Sequence, residues 1–427
     1  MKLLNLLFVL FSISIVLYSS NDAYACSMYK VSMEGKTMVG CNHDTWYLTP
    51  RIWFETDGYG AAFTGARVDG ANGFAPQSGM NEYGLAFSRL EAATPFQDNT
   101  GTPKKAIVNP SQYLKDILHQ CKNVEEVEAF VRQYDRSLFI HDVFIYVDRT
   151  GKYLIVEPYI TTIGNEPYYV LGNFCPSQIT DFESIRQARY INGSAFLKSK
   201  MDTSLQFCRE LSDTMHVCRA KIGDGTLLTS VWDLRDGNIA LYFYHDYEQE
   251  AKFNLNEELT KGNHIIDVTT LFPPNKEFEK LANFKTPLNS VPVEMFLRFC
   301  LVFFLILSLY YLFSYFRKRR FQPYSNIKLG LFFLNSVMIY FIFILSTKIN
   351  IYYFPSPYKE YNFSWVNIAA YLPFLILLLI IPLLRFNKII LQKRIWSMFS
   401  IIVLTVNSLV FLTLIALFSY WGLYDIF

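Results

Sequence analysis

The sequence predicts a mixed α+β domain followed by a bundle of four transmembrane helices, and three observations predict it. Residues 26 to about 250 carry strand-like runs of β-branched and aromatic residues, broken by turn residues and by helical stretches. The last third of the chain holds four long apolar spans. The first 25 residues have the charge, apolar and small-residue pattern of an export signal. The expected division is 1–25 signal peptide, 26–250 globular domain, 251–290 domain end and linker, and 291–427 transmembrane region.

In the leader, Lys2 is the positive residue, Leu3 to Leu17 the apolar core, and Ala23-Tyr24-Ala25 a small-x-small cleavage pattern. Cleavage after Ala25 makes Cys26 the first residue of the mature chain. An uncleaved anchor helix is the alternative. A lipoprotein signal is disfavoured by Ala23 and the bulky Tyr24 before the Cys. Downstream, Met28 to Gly40, Gly84 to Leu90, Val143 to Glu157, Tyr168 to Leu171, Leu227 to Leu234 and Ile239 to Tyr244 read as strands. Glu34-Gly35, Arg149-Thr150-Gly151 and Arg235-Asp236-Gly237 read as turns. Helices are expected from Asn109-Pro110-Ser111 to about Gln120, over Val124 to Tyr134, and over Ser184 to Met201. Mixed order of strands and helices implies packed α+β layers.

The stretch 250–290 is polar and contains Pro273-Pro274. The spans that follow, about 293–316, 327–347, 364–384 and 396–422, each have roughly the 20 residues needed to cross a bilayer core. Arg317 to Arg320 lie after the first span, and Arg385, Lys388, Lys393 and Arg394 lie between the third and fourth. The positive-inside rule makes these loops cytoplasmic and puts the globular domain on the extracytoplasmic side of a membrane. Arg298 is the ionisable residue noted within the spans, so a charge-lined pathway is not expected.

The net charge of +2 gives no bulk attraction to nucleic acid. Seven Cys occur without a CxxC. A zinc or thioredoxin-type centre is therefore not expected, nor is any other metal or cofactor. Most thiols are expected to be free and buried, with Cys208–Cys218 the one local pairing the spacing allows. The oligomeric state is not legible.

A Cys that begins a chain carries its nucleophile and a base on one residue. Its α-amine, with a pKa of roughly 7.7–8, can accept the thiol proton near neutral pH. Such a site further needs donors for an oxyanion and polar groups to orient the amine. His43 neighbours Asp44 but points to the opposite strand face by alternation, so it is not assigned to the site.

Cys26-Ser-Met-Tyr-Lys, followed by Val39-Gly-Cys-Asn-His-Asp44-Thr-Trp46, resembles the opening of the choloylglycine hydrolase, penicillin V acylase and acid ceramidase group of N-terminal-nucleophile hydrolases. That group also includes isopenicillin-type acyltransferases. Gly79-Met80-Asn81-Glu82-Tyr83-Gly84-Leu85-Ala86, Val170-Leu171-Gly172-Asn173, and Ser184-Ile185-Arg186 with Arg189 extend the resemblance over about 26–250. It implies an αββα sandwich, Cys26 as nucleophile and Asp44 as the carboxylate that holds the α-ammonium. It implies Asn173 as a side-chain oxyanion donor, Glu91 as a backbone one, and Arg186 as the Arg beside the thiolate. Asn42, Asn81 and Arg189 are supporting candidates. Read alone, Asp44 is equally a turn carboxylate, Asn173 an Asx-turn and both Arg residues a solvated helix face. Many relatives place an Arg where Cys41 stands, which argues against bile-salt specificity.

The expected function is hydrolysis of a linear, non-peptide carbon–nitrogen amide bond in a small N-acyl substrate, through a thioester acyl-enzyme. Acyl transfer to an amine is a second reading. A membrane receptor that keeps the fold without turnover is a third.

Overall fold

In the computed structural model, residues 26–95, 97, 104–219, 222–318, 323–348, 350–353 and 365–425 are described. The leader lies outside them. The chain forms two compact units, one spanning Ala23–Asn283 and the other including everything from Phe284 on.

The first unit holds two large antiparallel sheets, with strands numbered along the chain. A six-stranded sheet runs β12 (Tyr168–Leu171), β1 (Ser27–Met33), β2 (Lys36–Thr45), β13 (Gly225–Asp233), β14 (Asn238–Phe243), β15 (Asp246–Asn254). An eight-stranded sheet runs β11 (Thr161–Gly164), β10 (Tyr153–Val156), β9 (Asp142–Val147), β6 (Ala86–Glu91), β5 (Ser78–Asn81), β4 (Ala61–Gly65), β3 (Arg51–Glu55), β16 (His264–Asp267). A short parallel pair, β7 (Lys105–Ala106) and β8 (Tyr134–Asp135), stands apart.

Helices cover the outer faces. Helix α1 (Pro110–Gln120) starts with Pro after the Asn109 cap, whose side chain accepts from Gln112 N. Helix α2 (Val124–Val131) is capped by Asn123 and has Glu125 and Glu126 in its first turn. Their apolar faces, including Leu114, Ile117, Val127 and Val131, pack on Trp53, Phe63, Phe87 and Tyr146 of the larger sheet. Helix α3 (Ala188–Ser199) and helix α4 (Leu205–Thr214) place Leu197, Phe207 and Leu211 on Tyr29, Val31, Val231 and Tyr242 of the smaller sheet. The sheets face each other, with Ser78 Oγ of β5 3.1 Å from Ser230 Oγ of β13. Lys30 Nζ of β1 donates to Gly151 O in the β9–β10 turn at 2.6 Å. The result is a four-layer αββα sandwich, the arrangement the family resemblance implies.

Within 251–290, expected as domain end and linker, residues 251–267 form part of the domain. After β15 the chain forms helix α5 (Leu255–Leu259), then adds β16 beside β3, with Ile265 opposite Trp53. A helix α6 (Lys276–Asn283) closes the unit. The third expected helix begins later, at Ala188, because Asp181 caps a separate short turn over Phe182–Ser184. All seven Cys are free thiols, with Cys208 buried and Cys218 exposed, so the local pairing is not made.

In the second unit four helices are long and apolar enough to cross a membrane: Val291–Arg317, Ser325–Thr347, Val366–Lys393 and Met398–Tyr420. Arg298 is not alone among the charges. Lys328 is fully buried in the second helix, donates to Ser314 Oγ at 2.8 Å, and lies 4.7 Å from the Trp396 ring centroid.

Asn81 proves to be a framework residue. It is 1% exposed, and its Nδ2 donates to Leu118 O and Cys121 O at the end of α1, both at 2.8 Å. Its Oδ1 accepts from Tyr83 N and Leu85 N. It thus caps a helix and closes the β5–β6 turn, where Gly84 has φ +75° and a Cβ would meet Leu234 O at 2.1 Å. Asn81→Ala should destabilise the domain by about 3 kcal/mol or more, since it strands several buried partners. A thermal or denaturant midpoint within error of the parent's would contradict this role.

Candidate active site

Cys26 immediately precedes β1, and the β1–β2 hairpin returns the chain to it. Glu34 and Gly35 both take positive φ, 52° and 73°, as a two-residue hairpin turn of the primed type requires. The resulting register sets Ser27 opposite Asn42, which brings Cys26 to the end of β2 that carries Asp44. The thiol is buried. Its Sγ accepts from Gln77 Nε2 at 3.4 Å, and Gln77 Nε2 also donates to Arg89 O. Burial pushes the thiol pKa well up, and the nearby Asp44 carboxylate adds to this. The backbone N–H of Asp44 and the Arg189 guanidinium oppose it.

Asp44 is 1% exposed. Oδ1 accepts from Thr226 Oγ1 of β13 at 2.5 Å, while Oδ2 has no hydrogen-bond partner among the described residues. Burial raises this carboxyl to about 6, against the pull of Arg189 and Thr226. Thr226 is held in turn by the segment before β13, where its Oγ1 accepts from Val217 N at 2.9 Å.

Asn173 follows β12 and is pinned on every side. Its Nδ2 donates to Glu91 O at 2.8 Å, and Arg189 Nη2 donates to its Oδ1. Gln187 clamps its backbone in both directions: Oε1 accepts from Asn173 N and Nε2 donates to Asn173 O, each at 2.9 Å. Gly172 makes room for this clamp, because a Cβ there would lie 2.4 Å from Gln187 Oε1.

The structure therefore gathers Cys26, Asp44, Asn173 and Glu91 with Arg189, and it does not bring Arg186 there. Arg186 is exposed, donates from Nη1 to Glu183 O at 2.6 Å, and lines a separate surface cleft of about 610 Å³ with Tyr168, Tyr190 and Lys198. It lies in the extended segment before α3, whereas Arg189 lies in the first turn of that helix, one residue past its start. Asn42 is also displaced from the site. It donates to Ser212 O and accepts from Thr229 Oγ1, tying α4 to β2 and β13. His43 is buried, and burial with the charges of Arg89 and Arg67 pushes its pKa down to about 3, so it is neutral. Gln77, Gln187 and Thr226 were not legible as site residues. Gln77 stands two positions before Gly79, and Thr226 opens the late strand run, but only sheet pairing sets either beside Cys26 or Asp44.

No protein-family model matches the sequence, and no curated protein matches it. Among solved structures, the fold is similar to a variant of conjugated bile acid hydrolase from Clostridium perfringens. The identity is 18% over 59% of this chain and 98% of that one, with a TM-score of 0.44. A second variant of the same hydrolase is similar at 17% identity over 59% and 97% of the two chains, TM-score 0.44. Penicillin V acylase from Agrobacterium tumefaciens is similar at 14% identity over 57% and 86%, TM-score 0.41.

Two outcomes follow from this geometry. Arg189→Ala should slow alkylation of Cys26 by iodoacetamide about tenfold, the effect of roughly one pKa unit. Arg186→Ala should leave the rate within about twofold, with adducts counted by mass spectrometry. Equal effects of the two would refute the assignment. For Asp44, the folded pKa of about 6 lies above the ordinary 3.8, so the native state binds the extra proton. Its contribution to stability is complete below about pH 4 and lost as pH rises through about 6, on the order of 3 kcal/mol. In the chain with residues 1–25 attached, Asp44→Asn should flatten that slope in a thermal midpoint series from pH 4 to 7.

Proposed function

We propose that this chain is an N-terminal-nucleophile amidase, in which Cys26, made the leading residue by removal of 1–25, cleaves the linear carbon–nitrogen amide bond of an N-acyl substrate. The observation that carries this reading is the Oδ2 of Asp44, buried at the strand end beside Cys26 with no hydrogen-bond partner among the described residues. An isolated carboxylate oxygen in that position is costly. Cutting the Ala25–Cys26 bond turns an amide nitrogen into an amine, and its ammonium form is the cation this oxygen lacks. The motif order from Cys26 through Arg189 supports the same reading.

The chemistry then runs as follows. The neutral amine takes the thiol proton, and the thiolate sulfur attacks the substrate carbonyl carbon. The carbonyl electron pair moves onto oxygen, where the side-chain amide of Asn173 and the backbone at Glu91 act as donors. Asp44 orients the ammonium. Arg189 holds Asn173 by its Oδ1, so that the amide hydrogens point consistently. Collapse breaks the carbon–nitrogen bond, the departing nitrogen takes the proton from the ammonium, and a thioester remains. Water attacks the thioester, passing its proton back through the amine, and frees the acid and the thiol. No metal or cofactor enters this scheme. In this reading the leader is a signal peptide, the catalytic domain runs to Asn283 on the extracytoplasmic side, and the four apolar helices anchor it.

N-terminal sequencing of the membrane-extracted protein should start at Cys26 with an unblocked amine. Against a panel of N-acyl amides, Cys26→Ala should abolish turnover with an unchanged thermal midpoint, and Cys26→Ser should retain under about 1%. Full activity in Cys26→Ala, or turnover by a chain capped ahead of Cys26, would overturn the proposal.

A further inference from the structure

Away from Cys26, three elements of the first unit converge on a second set of reactive side chains. Cys218 lies on the segment that leads from α4 into β13, His245 in the turn between β14 and β15, and Glu277 in the first turn of α6. Their ligating atoms all lie within 4.8 Å of one another. His245 Nδ1 is 3.9 Å from Glu277 Oε2. We propose that Cys218, His245 and Glu277 bind one divalent cation of the zinc type.

Independent observations support a ligand here. The His245 side chain is 5% exposed, and its Nε2 has no hydrogen-bond partner among the described residues. Nδ1 is the nitrogen nearest Glu277, so the buried ring is held with that atom toward the cluster. Its ring stacks flat on that of His216, with centroids 5.8 Å apart and an interplanar angle of 0°. Tyr244 and His245 both adopt positive φ, 52° and 45°. Asn-Gly would fill such a turn without strain, whereas two bulky aromatic residues do so only where surrounding structure holds them. The strained turn is what aims the imidazole at α6.

The donor set also selects the ion. A thiolate, an imidazole and a carboxylate are the ligands zinc takes, whereas calcium and magnesium prefer all-oxygen shells. Bound to zinc at tetrahedral geometry, such atoms stand about 3.3–3.6 Å apart. The exposed Cys218 and the largely exposed Glu277 can close the remaining gap, while His245 stays fixed.

The consequence reaches the candidate active site. Cys218 forms a bridge with Gly225, and Val217 exchanges hydrogen bonds with Thr226, whose hydroxyl holds Asp44. A cation at this site would staple the segment that positions Asp44 to the β14–β15 turn and to α6.

The test uses the full chain in detergent, stripped with EDTA and titrated with Co²⁺ as a spectroscopic stand-in. The expected result is a near-ultraviolet sulfur-to-cobalt charge-transfer band saturating at one equivalent, displaced by Zn²⁺, with Zn²⁺ raising the thermal midpoint. Cys218→Ser should abolish both the band and the Zn²⁺ shift. Glu277→Gln should weaken Zn²⁺ binding at least about tenfold, measured by competition with a chromophoric chelator. Both side chains are largely exposed, so these variants should fold, and the midpoints without metal check this. Absence of the thiolate band would overturn the proposal. So would a band that survives Cys218→Ser and disappears in Cys26→Ala, which would put the ion on the other thiol.

Discussion

A carboxylate sealed from water must be satisfied by the groups packed around it, and in this protein that constraint falls on Asp44. Each neighbour comes from a different part of the sandwich. Thr226 is delivered by the pairing of β13 with β2, and Arg189 by the first turn of α3. The Cys26 sulfur arrives through the β1–β2 hairpin. None of these elements could shift by a residue without emptying the site, because a one-residue slip turns every side chain of a strand to the other face. The half-met state of Asp44 is thus a property of the whole sheet arrangement rather than of one loop.

Local chemistry made much of this readable. The Glu34-Gly35 turn, the Asn109 and Asn123 caps and the β-branched runs of β9, β13 and β14 are all short-range signals, and the structure places elements where they point. What escaped was long-range. The His264–Asp267 strand sits in a polar stretch and becomes a strand only because β3 offers it an edge. Likewise β4 and β5 are short and rich in Ala, Gly and Ser, with little intrinsic strand preference, and pairing within the sheet defines them.

The structure separates Arg186 from Arg189 for a related reason. Both were read as helical, and helical spacing cannot rank two residues three positions apart. The deciding fact is where α3 begins, after an Asp181-capped turn that the sequence pattern merged into the helix. In the apolar unit, Lys328 falls at the start of the second expected span, yet its ammonium is buried against Ser314 and the Trp396 ring. Its ammonium meets a hydroxyl dipole and an aromatic face.

The clamp that Gln187 places on Asn173 makes two distant positions depend on each other. The clamp needs the space that a hydrogen atom leaves at Gly172, and it loses both bonds if a methyl group takes that space. A side chain at 172 would push the Gln187 amide off the Asn173 backbone, and a shorter residue at 187 would remove the same two bonds. Positions 172 and 187 should drift as a pair, a covariation that marks how the direction of one amide is inherited.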